Sequence, residues 1–230
     1  MLCRRVSGKG SGMKRACLAV VLATLALTAS AFGGLMAVWD FGPDKPGFTL
    51  APATYRTMTA PVLELRGGDI DADGKDGTAY TDSMGVEHVA GQAAAWDDVN
   101  KAGTSNDAAL WITLDTRGWS DLAMRFDYRS EEAISFDLDY RTGSAGAWQQ
   151  IRNNQPISAG WQYNSFAIDL SGFPELAGQA MVQILLSDLD EGPGNDRFVI
   201  DNLEFTGIPE PASVVLLGLG AVLAVRRRVD

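Results

Sequence analysis

The chain has little of what enzymes are usually built from. Its 230 residues include one histidine, His88, and two cysteines, Cys3 and Cys17. Both cysteines lie ahead of residue 18, so the rest of the chain has no disulfide, no thiolate nucleophile and no cysteine metal ligand. Its stability must come from an ordinary apolar core. The histidine lies in Val86-Glu87-His88-Val89, a strand-like stretch, and any Ser-His-Asp triad would have to use it. Neither a G-x-S-x-G elbow nor an H-E-x-x-H pair occurs. Gly67-Gly68 and the glycines at 143–146 are not followed by a helix pattern, so they read as hairpin loops and not as phosphate cradles. The expectation is a protein that is not an enzyme.

Positive charge is also scarce. Lys+Arg number 19 against 29 Asp+Glu. Five of the basic residues fall at 4–15 and three at 226–228, leaving residues 32–208 with 11 basic and 27 acidic groups, a balance near −16. Such a charge disfavours nucleic acid and anionic lipid, and no nucleic-acid partner is expected. It suits solubility outside the cell and the binding of divalent cations, although a solvated acidic surface accounts for most of these carboxylates.

What is present is informative at both ends. Met13-Lys14-Arg15 opens a basic segment, residues 17–28 are apolar, and Ala29-Ser30-Ala31 forms an A-x-A cleavage site with Ala29 and Ala31 as its small residues. Residues 1–31 therefore read as a secretory signal peptide with a helical apolar run, served by the Sec export machinery, and Met13 is read as the true start. Cys17 opens the apolar run and does not follow it, which is not where a lipoprotein cysteine stands.

At the other end come Pro209, Glu210 and Pro211, then the uncharged run 214–225 (VVLLGLGAVLAV), then Arg226, Arg227 and Arg228. The run is short against the roughly 20 residues that cross a hydrocarbon core. Flanking residues and snorkelling arginine stems narrow the gap, which predicts a short transmembrane helix over 212–225 in the inner membrane. The arginines fix its end on the cytoplasmic side. The prolines lack amide donors and hold the preceding segment extended and accessible.

These three parts, in this order at the terminus, resemble the PEP-CTERM sorting signal, here over 208–230. The resemblance implies recognition of Pro209, Glu210 and Pro211 by an exosortase, a membrane-bound transpeptidase-like enzyme. It also implies a Gram-negative bacterium that makes exopolysaccharide. The protein would be held briefly at the inner membrane and then delivered to the cell surface or extracellular matrix. An ordinary C-terminal tail anchor is the alternative.

Between the ends, at 32–207, short alternating runs are separated by Gly, Asn, Asp and Pro, the pattern of an all-β fold. Strands are expected at 38–41, 62–65, 78–81, 86–89, 108–114, 122–128, 133–140, 148–151, 161–170, 181–186 and 198–205. Of these, 181–186 is apolar on both faces and should be central. A short helix is expected near 90–99 (AGQAAAWDDV), and 207–209 reads as a hinge. About ten strands point to a two-sheet antiparallel sandwich with its first and last strands adjacent. The rhythm of 121–207, from LAMRFDYRS and ISFDLDYRTG to RFVIDNLEFTG, is similar to the jelly-roll modules of bacterial surface proteins. Those include carbohydrate-binding modules and MAM-like or concanavalin-like sandwiches. Such folds host lectins, enzymes and scaffolds alike. The Glu-x-Asp-x-Glu strand of concanavalin-like glucanases is absent.

Candidate sites carry two readings each. Asp69, Asp71 and Asp73 alternate and run into Gly74, with Asp76 and Gly77 close behind, as in the first half of a calcium loop. Tyr80 stands where an EF-hand needs glutamate, so the choice is between a β-loop calcium site and a solvated turn. In jelly-roll carbohydrate-binding modules a structural calcium often bridges the first and last strands. That resemblance makes Asp40 and Asp201 candidate ligands, against local hydrogen bonding at a strand kink. Trp111 faces away from Leu110 and Ile112, and Trp119 lies in a turn, so these two are candidates for stacking on sugar rings, against a place in core or rim. Three functions follow: a noncatalytic module that binds or organises extracellular polysaccharide, with or without calcium; a structural or adhesive matrix protein; and a glycan hydrolase.

Overall fold

A computed structural model describes residues 33–41, 51–52, 55–56, 61–71, 75–99, 108–190 and 197–210. Among them the chain forms β1 (Gly34–Trp39), β2 (Ala51–Pro52), β3 (Tyr55–Arg56), β4 (Val62–Arg66), β5 (Asp69–Ile70), β6 (Lys75–Asp76), β7 (Tyr80–Thr81), β8 (Glu87–His88) and β9 (Gln92–Asp98). There follow β10 (Ala109–Leu114), β11 (Trp119–Ser130), β12 (Ile134–Thr142), β13 (Gln149–Ile157), β14 (Gly160–Asp169), β15 (Val182–Asp190) and β16 (Phe198–Pro209). One 3-10 turn, Pro174–Leu176, is the only helical element among the described residues. The signal peptide, the candidate transmembrane helix 212–225 and the sites Ala29, Ala31, Asp73, Pro211 and Arg226 to Arg228 lie outside them.

The strands build two antiparallel sheets. The first runs β14-β11-β16-β1-β3, with β9 also against β16 and with β5 and β6 on β9. The second runs β13-β12-β15-β10-β4-β2, and β7 and β8 form a separate hairpin. The fold is an all-β sandwich whose first and last strands pair, Gly34 opposite Gly207 through Trp39 opposite Leu203. As the apolar run at 181–186 requires, β15 is central, between β12 and β10. The alternation in β11 and β12 sets the interior: Leu122, Met124, Phe126 and Tyr128 from one sheet meet Ile134, Phe136, Leu138 and Tyr140 from the other. Phe126 and Phe136 lie 6.1 Å apart across the layers, and Phe166 reaches both, at 5.0 and 5.3 Å. Each such ring removes apolar area worth about 1.5–3 kcal/mol.

Two expectations are corrected. The alanine-rich stretch expected to be helical is strand β9, whose Ala94, Ala95 and Trp96 pair with Ile200, Val199 and Phe198. Alanine favours helix in isolation, but this strand is covered on both sides. Ala94 and Trp96 join the main core, while Ala93 and Ala95 pack with Val199 and half-buried Tyr163. Small side chains fit that double burial, and tertiary packing overrides propensity. The expected hinge at 207–209 is strand instead, as β16 continues through Pro209. A Cβ on Gly207 would come within 2.9 Å of Leu122 Cδ2 and 3.0 Å of Met36 Sδ, so the glycine is there for close packing.

β16 changes partner midway. Residues 198–200 pair with β9 and 203–207 with β1, so Asp201 and Asn202 fall at the switch. Asn202 takes φ of +50°, which turns the strand between its partners. A bulge between Leu35 and Ala37 lets Leu35 and Val38 face outward onto Tyr80 of the hairpin, while Met36, Ala37 and Trp39 fill the core.

Candidate functional site

On the second sheet the inward residues Leu63, Leu65, Leu110, Ile112, Val182, Ile184 and Leu186 are buried, so their neighbours form an outer face. Register lines up Glu64, Trp111, Leu185, Asp139 and Gln150 across five strands. The next row holds Thr113, Gln183 and Arg141. Trp148, from the loop between β12 and β13, comes edge-on to Trp111 with ring centres 5.1 Å apart. The Arg66 guanidinium lies 3.8 Å over the Trp111 ring, and that of Arg141 lies 4.4 Å from Trp148 and 5.3 Å from Trp111.

The cations are held in place. Arg66 Nη2 donates to Glu64 Oε2 at 2.7 Å, and Arg141 Nε donates to Gln183 Oε1 at 2.7 Å. Gln183 Nε2 in turn donates to Thr113 Oγ1 at 3.3 Å. Burial, with Asp137 nearby, raises the pKa of Asp139. The result is a strip of two tryptophans bordered by forked donors, an amide and carboxylates, the mixture that a polyhydroxylated chain needs for stacking and hydrogen bonding. Trp111 was legible as outward from alternation alone. Its partner Trp148 was not, because a loop residue carries no period. Arg66 and Arg141 were legible in principle, since each continues an alternating strand on its polar side.

Trp119 is not part of this strip. It is half-buried and packs against the main core, and the most exposed tryptophan among the described residues is Trp161 of β14, at 62%.

The candidate metal ligands are dispersed. Asp69 lies in β5 opposite Asp98. Asp71 ion-pairs with Lys75, which also reaches Asp97 at 3.1 Å, and these carboxylates, Asp71 first, raise the lysine pKa. Asp76 is exposed in β6, and its carbonyl accepts from Tyr163 Oη at 2.6 Å. Among the described residues no group of three or more Asp, Glu, His or Cys side chains is arranged to hold a metal ion.

Asp40 and Asp201 belong to a polar layer between the first sheet and the β7–β8 hairpin. Asp201 is 1% exposed; its Oδ2 accepts from Thr78 N at 2.7 Å and its Oδ1 from Asn202 N at 2.8 Å. Gly77 is a glycine because a Cβ there would lie 2.5 Å from Asp201 Oδ2. Desolvation, outweighing those two donors and helped by Asp127 and Asp40, pushes the Asp201 pKa up to about 7. Asn202 Nδ2 donates to Thr78 O at 3.0 Å and to Asp127 Oδ2 at 2.9 Å. Asp40 Oδ2 and Asp82 Oδ2 stand 3.1 Å from the two ring nitrogens of His88. Donating to both requires an imidazolium. Burial opposes that charge, but the two carboxylates prevail and raise the His88 pKa. The lone histidine is thus a clamp between first strand and hairpin.

At the C-terminal end, Pro209 closes β16 and Glu210 follows it. Residues 207–228 match the PEP-CTERM protein-sorting motif. The PEP-CTERM signal marks a chain that is exported, held at the membrane by its C-terminal end before sorting, and processed by an exosortase. No helix among the described residues is long and apolar enough to cross a membrane. No curated protein matches the chain. Similar solved structures are family 29 carbohydrate-binding modules. One is 16% identical, with 66% of this chain and 92% of the module covered and a TM-score of 0.34. A variant module complexed with mannohexaose is 14% identical, covering 67% and 97%, with a TM-score of 0.35. Another, complexed with cellulohexaose, is 13% identical, covering 66% and 95%, with a TM-score of 0.33. At these scores the likeness carries no conclusion about a ligand or a site in this chain.

Proposed function

We propose that this PEP-CTERM protein is a noncatalytic module that binds extracellular polysaccharide at the cell surface or in the matrix. The observation that supports this reading is the Trp111–Trp148 pair on the outer face of the second sheet, set among Arg66, Arg141, Glu64, Asp139 and Gln183. Packing does not explain it, since neither ring belongs to the core. Aromatic rings set among fixed donors and acceptors suit a sugar chain lying across the strands, and the extended row lets several residues of a polymer bind at once.

The test is retention of the full chain on exopolysaccharide from the producing strain, with calcium and then with chelator. Replacing Trp111 and Trp148 together with alanine is expected to weaken retention at least about tenfold, as for anchors at an interface centre, without lowering the thermal midpoint by more than a few degrees. Equal retention by the variant sinks the strip as the site. Chelator tests a calcium requirement separately: retention lost on chelation supports a bound cation, and unchanged retention counts against one. No retention by the wild type would leave a structural matrix role instead.

A further inference from the structure

We propose that the end of the sandwich from which β16 leaves is a lipid-contacting surface. While the C-terminal end holds the chain at the membrane, Met84, Val86 and Met181 seat this end on zwitterionic lipid. The large apolar side chains exposed among the described residues are Met84, Val86, Val89, Trp161 and Met181. Three of them gather at one end of the fold. That end is marked by Gly207, which lies opposite Gly34 of β1 and whose Cβ would come within 3.1 Å of Ser120 O near the start of β11. Met181 stands there too. Its neighbour Val182 pairs with Leu114 at the end of β10, and the turn that follows β10 is tied to β11 by Trp119 N donating to Thr116 O.

The β7–β8 turn reaches the same end. Asp201 holds Thr78 N and, further along both chains, Glu204 holds Ser83 N, so the hairpin advances along β16 toward its exit. Ser83 also shares a cleft with Thr206 of β16 and Asp169 at the end of β14. Met84 comes next, 58% exposed, and Val86 closes the turn at 52%. The turn stands clear on its outer side, since a Cβ on Gly85 would meet nothing within 4 Å. Trp119, half-buried at this end, is of the residue type enriched where membrane meets water.

Connectivity names the occupant. The sorting signal holds the chain at the membrane by its C-terminal end, and only residues 210–213 separate β16 from the apolar run that begins at 214. Four residues span at most about 14 Å, so the exit end of the sandwich stays within reach of the bilayer. A short tether also gives an effective concentration on the order of millimolar. Three apolar side chains then suffice for a contact that a free protein of this kind would not make. Charge selects the lipid. Asp121, Asp169 and Glu175 are exposed at this end, and Arg117, their exposed basic neighbour, is already paired with Asp115. Anionic headgroups are repelled there, whereas zwitterionic ones are not.

The test places the full chain in phosphatidylcholine nanodiscs that contain a lipid with a spin label just below its headgroup. Methionine methyls carry ¹³C and tryptophan indoles carry ¹⁵N. The spin label is expected to enhance relaxation of the Met84 and Met181 methyls at least about tenfold more than that of Met124, which is sealed in the core. The Trp161 indole N–H, exposed at the opposite end beside Gly160 and Ser130, is expected to be unaffected. Adding phosphatidylglycerol at low salt should cut the enhancement at least about twofold. Met84→Ser with Val86→Ser, both on an exposed turn, should cut it at Met181 at least about threefold. The proposal is overturned if Met84 and Met181 respond no more than Met124, or if Trp161 responds as strongly as they do. It is equally overturned if phosphatidylglycerol increases the response, or if the response survives the serine pair in a protein with otherwise native signals. No glycan enters this test, so its failure and failure of the polysaccharide reading are distinct.

Discussion

Asp201 concentrates the physical tension of the molecule. Its carboxylate is buried at the point where β16 changes partner, yet two backbone donors hold it there. Its pKa rises from 3.8 unfolded to about 7 folded. A raised acid binds its proton more tightly in the folded state, so its contribution to stability is greatest at low pH and is lost as pH rises from about 4 to 7. His88 acts in the same direction: its raised pKa gives stability that is full below 6.5 and lost as pH climbs through the folded value. The chain is therefore expected to be more stable at pH 5.5 than at pH 8, with Asp201 supplying about 2 kcal/mol of the difference. Urea midpoints at the two pH values measure this. Asp201→Asn should lower stability throughout, because one amide donor then faces an NH2 group, but should leave a shallower slope, carried by groups such as His88. An undiminished slope in that variant would assign the titration to other groups.

At the level of elements, the β7–β8 hairpin depends on one side chain. Asp82 Oδ1 accepts from Met84 N and Val86 N, both at 2.9 Å, and Oδ2 faces His88. Gly85, with φ of +80°, closes the turn by donating to Asp82 O at 2.9 Å. Asp82→Ala strands two amides and one imidazole nitrogen, a loss of about 2–3 kcal/mol confined to the hairpin. Amides 83–88 should then exchange faster while those of β11 and β12 keep their protection, as hydrogen exchange will show. Global loss of protection would mean that the hairpin is part of the main cooperative unit. The same region marks where sequence reading works and where it stops. β10, β11 and β12 were legible because a strict two-residue period with one buried face admits one register. The two-residue strands β2, β3, β5 and β6 were too short to show a period. β9 was misread because its alanines suit a strand buried on both faces as well as they suit a helix. The role of His88 was hidden because Asp40 and Asp82 reach it from 48 and six residues away, a meeting set by the pairing of β1 with β16 and by the turn.

For the whole molecule, the sandwich and the sorting signal are carried by different stretches of sequence. The sandwich, Gly33–Ile208, is one compact unit, and the sorting motif begins at its last residues. The motif was legible because it is a linear signal, matched within 207–228, and no distant partner has to be inferred. The tryptophan strip was only half legible because it is assembled from separate strands and a loop. Replacing Pro209, Glu210 and Pro211 with alanine restores two amide donors and removes the φ restraint ahead of the apolar run 214–225. In a host with its exosortase, that chain is expected to accumulate uncut in the inner membrane, whereas the wild type leaves it. Fractionation followed by immunoblotting distinguishes the two. The alanine chain should still be retained on exopolysaccharide, because Trp111, Trp148 and the arginines beside them are untouched. Cleavage and release of the alanine chain at the wild-type rate would show that the segment is an anchor without a sorting role.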